Sequence, residues 1–475
     1  MTFHAAQSAI APIQFDAPLI HKLSQQGPRY TSYPTADRFT EDFRSGDYLQ
    51  AVSGVRAMGA RNPLSLYVHI PFCDTVCYYC ACNKIVTKNR GKADTYLAYL
   101  KREIDMQGRL FAGMNRVEQM HFGGGTPTYL SDAQLGDLLA HLRRWFSFAA
   151  DGDGEYSIEI DPRTVTAARI HSLRAQGFNR ISLGVQDFDA DVQKAVNRIQ
   201  PEEKTLEAIR AARDAGFRSV SIDLIYGLPK QSVVTMEQTL AKVIAADPDR
   251  ISIYNYAHLP HLFKPQRRID EAELPSAETR IDMLSLCIER LTGAGYAYIG
   301  MDHFARPGDD LAIAQRQGRL HRNFQGYSTH AEAEMVSCGV SAISSVGGTY
   351  SQNEKTLDAY YECIEQGRLP ITRGIRLDMD DLLRRIVIQT LMCNFELSIA
   401  SLELAYPIAF TAYFAEEMDK LRSFESDGLL QIGDEWLTIT PKGRLLIRNI
   451  CMVFDRYLNG RQEMKPQRLR YSKTI

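Results

Sequence analysis

Four of the nine cysteines stand within ten residues, as Cys73, Cys77, Cys80 and Cys82, spaced C-x3-C-x2-C-x-C. Thiolates are soft ligands that select iron–sulfur clusters, zinc or Cu(I). Cys73, Cys77 and Cys80 can each hold one corner of a cubic [4Fe–4S] cluster from a single loop. One iron is then left without a protein ligand, and an open position is what a catalytic metal requires. The alternative is a structural zinc ion closed in a tetrahedron by all four thiolates. Zinc loops more often pair two C-x2-C knuckles far apart in sequence. Disulfides are disfavoured by the odd number and irregular spacing of the cysteines, and because Met1 to Gln14 lacks the pattern of a secretory signal.

Other polar residues interrupt apolar runs where a ligand would be met. Gly123-Gly124-Gly125-Thr126-Pro127 lets the backbone approach a ligand closely, though such a run also serves as a tight turn. Glu159 and Asp161 end Ile158-Glu159-Ile160-Asp161-Pro162, on one face by alternation. Asp161 reads as a helix cap, and Glu159 as a carboxylate able to hold ribose hydroxyls. Gln186 follows Leu183-Gly184-Val185, Arg198 ends Val196-Asn197-Arg198, and Asp223 lies within Ser221–Pro229. A charge inside an apolar strand is costly unless paired or ligand-bound. Each charged residue is therefore half of an ion pair or a ligand contact.

The elements that must position these groups alternate along the chain. Candidate strands are Leu64–Ile70, Gln119–Phe122, Tyr156–Ile160, Arg180–Val185, Ser219–Ile225, Arg250–Tyr256 and Tyr296–Met301. Ala93–Leu110, Asp132–Phe146, Thr235–Ala246 and Ala277–Leu291 have the 3.6-residue spacing of helices. Such alternation implies a parallel sheet with helical crossovers. Gly177-Phe178, Gly216-Phe217 and Gly295-Tyr296 each read as a helix C-cap before an inward aromatic. The first two glycines are 39 residues apart and the next gap is 79, about twice that. Ala246-Asp247-Pro248 supplies the missing unit. A repeated βα unit predicts a TIM-like barrel, complete or partial, with its chemistry at the carboxyl ends of the strands. The cysteine loop sits at that end of the first strand.

The 475 residues are 45% hydrophobic and 24% charged, with a formal net charge of −2. This is ordinary globular composition for two or three domains. It gives no basic excess for nucleic acid, and no apolar run reaches the roughly 18 residues of a membrane span. A monomeric cytoplasmic enzyme is expected. Residues 1–50 form an N-terminal arm and strap, loose to about Pro18, with a short helix over Leu19–Gln26. The strap is the extended Gly27-Pro28-Arg29-Tyr30-Thr31-Ser32-Tyr33-Pro34-Thr35. Residues 51–372 form the α/β barrel domain. Residues 373–475 form a helical, winged-helix-like domain, with helices over Asp380–Cys393 and Phe410–Phe424 and a wing over residues 428–432 and 435–440. A winged helix can bind DNA, but beyond a basic tail this one carries no compact basic patch, so a packing role is expected.

The C-x3-C-x2-C loop resembles that of the radical S-adenosylmethionine (SAM) enzymes. In them SAM chelates the open iron and is cleaved by one electron to methionine and a 5′-deoxyadenosyl radical. Gly123–Thr126 resembles their GGE-like motif but lacks its acid, so backbone carbonyls must take that part. More closely, the chain resembles the oxygen-independent coproporphyrinogen III dehydrogenase family. The resemblance includes the Arg29–Pro34 strap, Cys73–Lys84 with its CxC ending, Gly123–Leu130, Gly184–Phe188, Ile222–Gln231, Asn255–Pro260, Gly300–Pro307, His321–Tyr327 and Gly443–Asp455. It implies one [4Fe–4S] cluster on Cys73, Cys77 and Cys80, with two SAM molecules beside it. Tyr67, Tyr79, Gly124, Glu159 and Ile343 would contact the cluster-bound SAM. Gly125, Thr126, Gln186, Arg198, Asp223 and Ala257 would contact the second. The position of Tyr79 is often Phe in the family, and Cys82 is not expected to be a ligand.

The implied reaction is oxidative decarboxylation of two propionates of coproporphyrinogen III to vinyl groups, with an unidentified reductant and electron acceptor. Arg29, Arg267, Arg268, His303 and Arg306 are candidates for the substrate carboxylates. A haem-binding, chaperone-like relative of the superfamily is the alternative, but it lacks the CxC ending and the strap. A third reading is a winged-helix regulator with a sensory cluster.

Overall fold

The computed structural model describes residues 13–59, 62–113 and 116–459. The first twelve residues of the expected arm and the basic tail lie outside them. The chain divides into two compact units. One comprises Pro34–Ser276 with His330–Leu382, and the other takes the chain up to Tyr33, Ala277–Thr329 and the chain from Leu383.

The first unit is built on strands β1 Leu64–Ile70, β2 Val117–Gly124, β3 Glu155–Ile160, β4 Arg180–Gln186, β5 Ser219–Tyr226 and β6 Arg250–Asn255. Helices α1 Gly91–Phe111, α2 Asp132–Trp145, α3 Ala167–Ala175, α4 Glu202–Asp214 and α5 Val233–Ala246 fall between successive strands. Each neighbouring pair from β1 to β6 is parallel. On the far side of β1 the sheet continues through β7 Glu334–Cys338, β8 Ile343–Val346, β9 Thr349–Asn353 and β10 Ile371–Arg376. β7 is parallel to β1, and the rest pair antiparallel. The result is an open, partial TIM-like array of the expected α/β class.

The repeat has the expected physical basis. Gly177 and Gly216 take φ of +107° and +79°, and the non-glycine Asp247 caps α5 at φ +49°. Phe178 and Phe217 donate their backbone N–H groups to Leu173 and Ala212, five residues back, and are buried. These are left-handed helix stops that turn the chain into the next strand with an aromatic pointing inward. Ser131 and Ser232 cap α2 and α5 with reciprocal bonds to Gln134 and Thr235.

The second unit differs from expectation in three places. The strand near Tyr296–Met301 spans Ala297–Gly300 and pairs antiparallel with His303–Ala305, because Met301, at φ +53°, reverses the chain. The helix over Phe410–Phe424 breaks at Phe414 into Phe410–Tyr413 and Ala415–Ser426. The wing gains a third strand, Glu396–Ser398, beside Trp436–Ile439 and Leu430–Ile432. The short N-terminal helix starts at Ala17, where Asp16 accepts from the Leu19 N–H. The strap is pinned by Arg448, which donates to the Gly27 and Pro28 carbonyls, and by Tyr30, whose hydroxyl donates to Asp455 at 3.0 Å.

Candidate active site

The cysteine loop begins where β1 ends. Phe72–Cys73 pairs with Ile85–Val86, closing the loop into a short two-stranded ladder. Its middle is tied down by Tyr78 N–H to the Val196 carbonyl at 2.9 Å and Asn197 Nδ2 to the Val76 carbonyl at 2.7 Å. Tyr78 and Tyr79 pack on the cluster of Val192, Val196, Ile225, Leu228, Tyr256 and Ile269. The glycine run lies under the start of the loop. Gly125 and Thr126 donate to the carbonyls of Ile70 and Phe72 at 2.9 and 2.8 Å. A Cβ at Gly125 would stand 2.7 Å from the Phe72 carbonyl oxygen, and one at Gly124, where φ is +119°, would stand 2.7 Å from the His69 ring. These glycines are needed because the cysteine loop presses on them.

Cys73, Cys77, Cys80 and Cys82 line one cavity of about 550 Å³. Tyr79, Gly124, Gly125 and Thr126 share its wall with Glu159, Gln186, Arg198 and Asp223. Gln186 sits at a register break after Gly184 with φ +70°. This strained bulge at the end of β4 re-aims its side chain.

Cations surround the thiols. The buried Arg198 reaches Cys77 Sγ at 3.6 Å, both oxygens of Asp161 at 3.3–3.4 Å and the Gly184 carbonyl at 2.5 Å. Arg163 reaches Cys77 Sγ at 3.8 Å and Asp161 at 2.6 Å. Burial pushes the Asp161 carboxyl up, but the two guanidinium groups outweigh it and hold it below the usual range. Thr126 Oγ1 donates to Cys73 Sγ at 3.6 Å, and Lys84 Nζ donates to the Cys80 carbonyl at 3.1 Å. Burial pushes the Cys73 thiol up to about 11, whereas a hydrogen bond from Cys82 lowers Cys80 to about 5 and leaves Cys82 raised.

The strand face beneath is polar. Glu159 accepts from the Gly124 N–H at 3.2 Å and meets His121 Nε2 at 3.2 Å, while His121 Nδ1 meets Ser157 Oγ at 2.6 Å. Ser182 Oγ donates to Asp223 at 2.8 Å. Burial and the Glu159 charge raise the Asp223 carboxyl to about 6.

These residues fit an iron–sulfur cluster. Three thiols from one loop face a shared cavity, with two guanidinium groups near one sulfur to offset the thiolate charge. The buried Nε of Arg198 has no hydrogen-bond partner among the described residues, so the wall keeps a donor for a further anion. Among the described residues no three His, Cys, Asp or Glu side chains are grouped to hold a single ion. A multi-iron cluster needs only one thiolate per iron.

Eleven of the fourteen residues expected at the cluster and the two SAM molecules therefore line one cavity. Tyr67 lies below it, its ring stacked on His121 at 5.9 Å and its hydroxyl 3.0 Å from His69 Nδ1. Ala257 and Ile343 are not part of the lining. The Ala257 carbonyl shares the Gln266 amide with the Tyr79 carbonyl, and the Ile343 carbonyl accepts from Ser337. None of the five substrate-carboxylate candidates lines this cavity. Arg29 pairs with Asp302, Arg306 lies 4.0 Å from the Tyr296 ring centre, and Arg267 and Arg268 are exposed. Arg163, Ser182 and His121 were missed. Arg163 was legible as the base in Asp161-Pro162-Arg163 at a strand end; Ser182 and His121 carry no signal beyond alternation.

Residues 67–243 match the Radical SAM superfamily, and residues 377–446 match the HemN C-terminal domain. An oxygen-independent coproporphyrinogen III oxidase of Pseudomonas aeruginosa is 51% identical over 446 residues, 94% of this chain and 96% of that one. The protein of that name in Escherichia coli is 50% identical over 457 residues, 96% and 98% of the two chains. The solved structure described as coproporphyrinogen III oxidase (HemN) from Escherichia coli, a radical SAM enzyme, superposes with a TM-score of 0.89, covering 94% of this chain and 99% of that one. Identity at this level over almost the whole length, together with thiols converging on one cavity, places the chain in the oxygen-independent coproporphyrinogen III oxidase family of radical SAM enzymes.

Proposed function

We propose that this chain converts two propionate side chains of coproporphyrinogen III to vinyl groups, giving protoporphyrinogen IX, two CO2, two methionine and two 5′-deoxyadenosine. The observation that carries the reading is the convergence of Cys73, Cys77 and Cys80 on a cavity otherwise walled by glycine backbone, carboxylates and a buried arginine. Bound there, the cluster and SAM supply a radical able to remove hydrogen from an unactivated carbon. Cys73, Cys77 and Cys80 would hold the iron. Arg163 and Arg198 direct N–H groups at the Cys77 sulfur. Tyr67, Tyr79, Gly124, Glu159 and Ile343 would hold one SAM, with Glu159 already braced by His121 and the Gly124 N–H. Gly125, Thr126, Gln186, Arg198, Asp223 and Ala257 would hold a second. Two carboxylates on the same wall, Glu159 held by His121 and the Gly124 N–H and Asp223 held by Ser182, support that pairing. The reductant and the electron acceptor come from outside the chain, and the protein works as a cytoplasmic monomer. No described helix is long and apolar enough to cross a membrane.

The test is anaerobic reconstitution with iron and sulfide. With SAM, reductant, cell extract as acceptor source and coproporphyrinogen III, the protein should form protoporphyrinogen IX and 5′-deoxyadenosine. Tight haem binding with no vinyl product would refute the reading.

A further inference from the structure

The proposed chemistry needs an electron from outside, and one surface of the first unit is built around the cysteine loop in a way the reaction itself does not require. Ile85–Val86 pairs in register with Phe72–Cys73, and the Thr87 N–H donates to the Cys73 carbonyl at 3.0 Å. Val86 is 43% exposed. An exposed apolar side chain thus stands on the strand directly hydrogen-bonded to a thiol-bearing residue. Around it, residues 81–93 hold Lys84, Lys88, Arg90 and Lys92 and no acid, in a chain whose net charge is −2. Arg90 is paired with Asp74 at 2.7 Å. Lys88 and Lys92 are exposed and make no ion pair among the described residues. Lys355, whose carbonyl accepts from Asn83, adds an exposed cation beside the loop. Asp94, the nearest acid along α1, accepts from Gln134.

Solvated loop lysines are common, but two features here go further. Lys92 sits in the first turn of a 21-residue helix, where the backbone dipole disfavours a cation. Lys88 and Lys92 also lie outside the cavity lining that Lys84 shares, so a substrate in that cavity does not account for them. We infer that the face formed by Val86, Lys88 and Lys92 receives an acidic one-electron carrier protein. The carrier is oxidised by one electron and the cluster reduced by one, with no atom transferred. The cations speed encounter and Val86 fills the dry centre of the contact.

The inference rests on the proposed cluster. It is tested on anaerobically reconstituted protein by stopped-flow bleaching of cluster absorbance. Two donors are compared: an acidic flavodoxin in its hydroquinone form, and the methyl viologen radical cation. At low salt the K88E/K92E double variant should be reduced by flavodoxin about tenfold or more slowly than the parent, with the gap closing as salt rises. Viologen should reduce the variant at least as fast as the parent, at equal iron and sulfide content. Equal flavodoxin rates in the two proteins, or equal slowing with both donors, would overturn the inference. So would failure of flavodoxin to reduce the parent, or a loss confined to coproporphyrinogen III binding. Absence of iron and sulfide from the parent would instead overturn the cluster reading.

Discussion

Asp223 lines the cavity from β5, with the hydroxyls of Ser182, at 2.8 Å, and Ser252 as donors and with Glu159 repelling it. Its carboxyl rises from an ordinary 3.8 to about 6. At about 1.4 kcal/mol per pH unit, holding it ionised costs the folded protein about 3 kcal/mol at most. The cavity is open to solvent and screens part of this, so about 1–2 kcal/mol is the working figure. The sign follows from linkage. A carboxyl raised in the folded state carries no cost below pH 3.8, where both states are protonated. The cost grows between 3.8 and 6 and is complete above 6. Asn cannot ionise, so Asp223→Asn should stabilise the cofactor-free protein above pH 6, and only about a third as much at pH 4.5. For a unit of this size that is about 2–4 °C in Tm at pH 8. Scanning fluorimetry under reducing, anaerobic conditions at pH 4.5, 6 and 8 reads it directly. The same variant should weaken SAM binding to the reconstituted protein, measured by calorimetry, because a carboxylate held at a cost by burial and the Glu159 charge is one that a ligand's donors relieve. An equal Tm difference at pH 4.5 and pH 8, or a less stable variant at pH 8, would show that Asp223 is not held under this strain.

Gly124→Ala should lose about 2–3 kcal/mol in urea unfolding, since φ is +119° and the new Cβ meets the His69 ring at 2.7 Å; a loss under 1 kcal/mol would mean the loop yields. Arg163→Gln removes a positive charge and an N–H directed at Cys77 Sγ, so the reconstituted cluster should become harder to reduce. An EPR-monitored redox titration should place its midpoint below that of the parent, and an unchanged midpoint would remove Arg163 from this role. Cys73→Ser should abolish iron retention and 5′-deoxyadenosine formation while far-UV circular dichroism stays at the parental level. Asp161→Asn should lower Tm by about 6–10 °C at neutral pH, because two buried guanidinium groups lose their shared carboxylate at about 3–5 kcal/mol.

The βα rhythm was legible because it rests on local rules. Apolar runs of strand length, helical spacing and left-handed stops at Gly177 and Gly216 each depend on a few neighbouring residues. β7 to β10 were not foreseen. Ile343-Ser344-Ser345-Val346 and Thr349-Tyr350-Ser351-Gln352-Asn353 bury serines and amides, so no hydrophobic period marks them. Some of their polar groups bond within the local hairpins, as Ser344 Oγ does in accepting from the Ser337 N–H, and others meet groups remote in sequence. One example is the buried Asn353 amide, held by Glu103 at 2.7 Å across 250 residues.

The same division runs through the site, and Asp161 shows it most clearly. On local grounds it is a cap, and it does accept from the Arg163 N–H at 3.1 Å. Its carboxylate also gathers Arg163 and Arg198, which arrive from different connections, and presents both to one cysteine sulfur. Either guanidinium alone would be a buried charge needing a partner. Together with Asp161 they carry one net positive charge beside the thiolate of Cys77. That balance comes from which strand ends meet around one cavity, which no window of the sequence contains. It is also why loss of the acid should damage folding, while loss of Arg163 should move the redox midpoint of a protein that still folds.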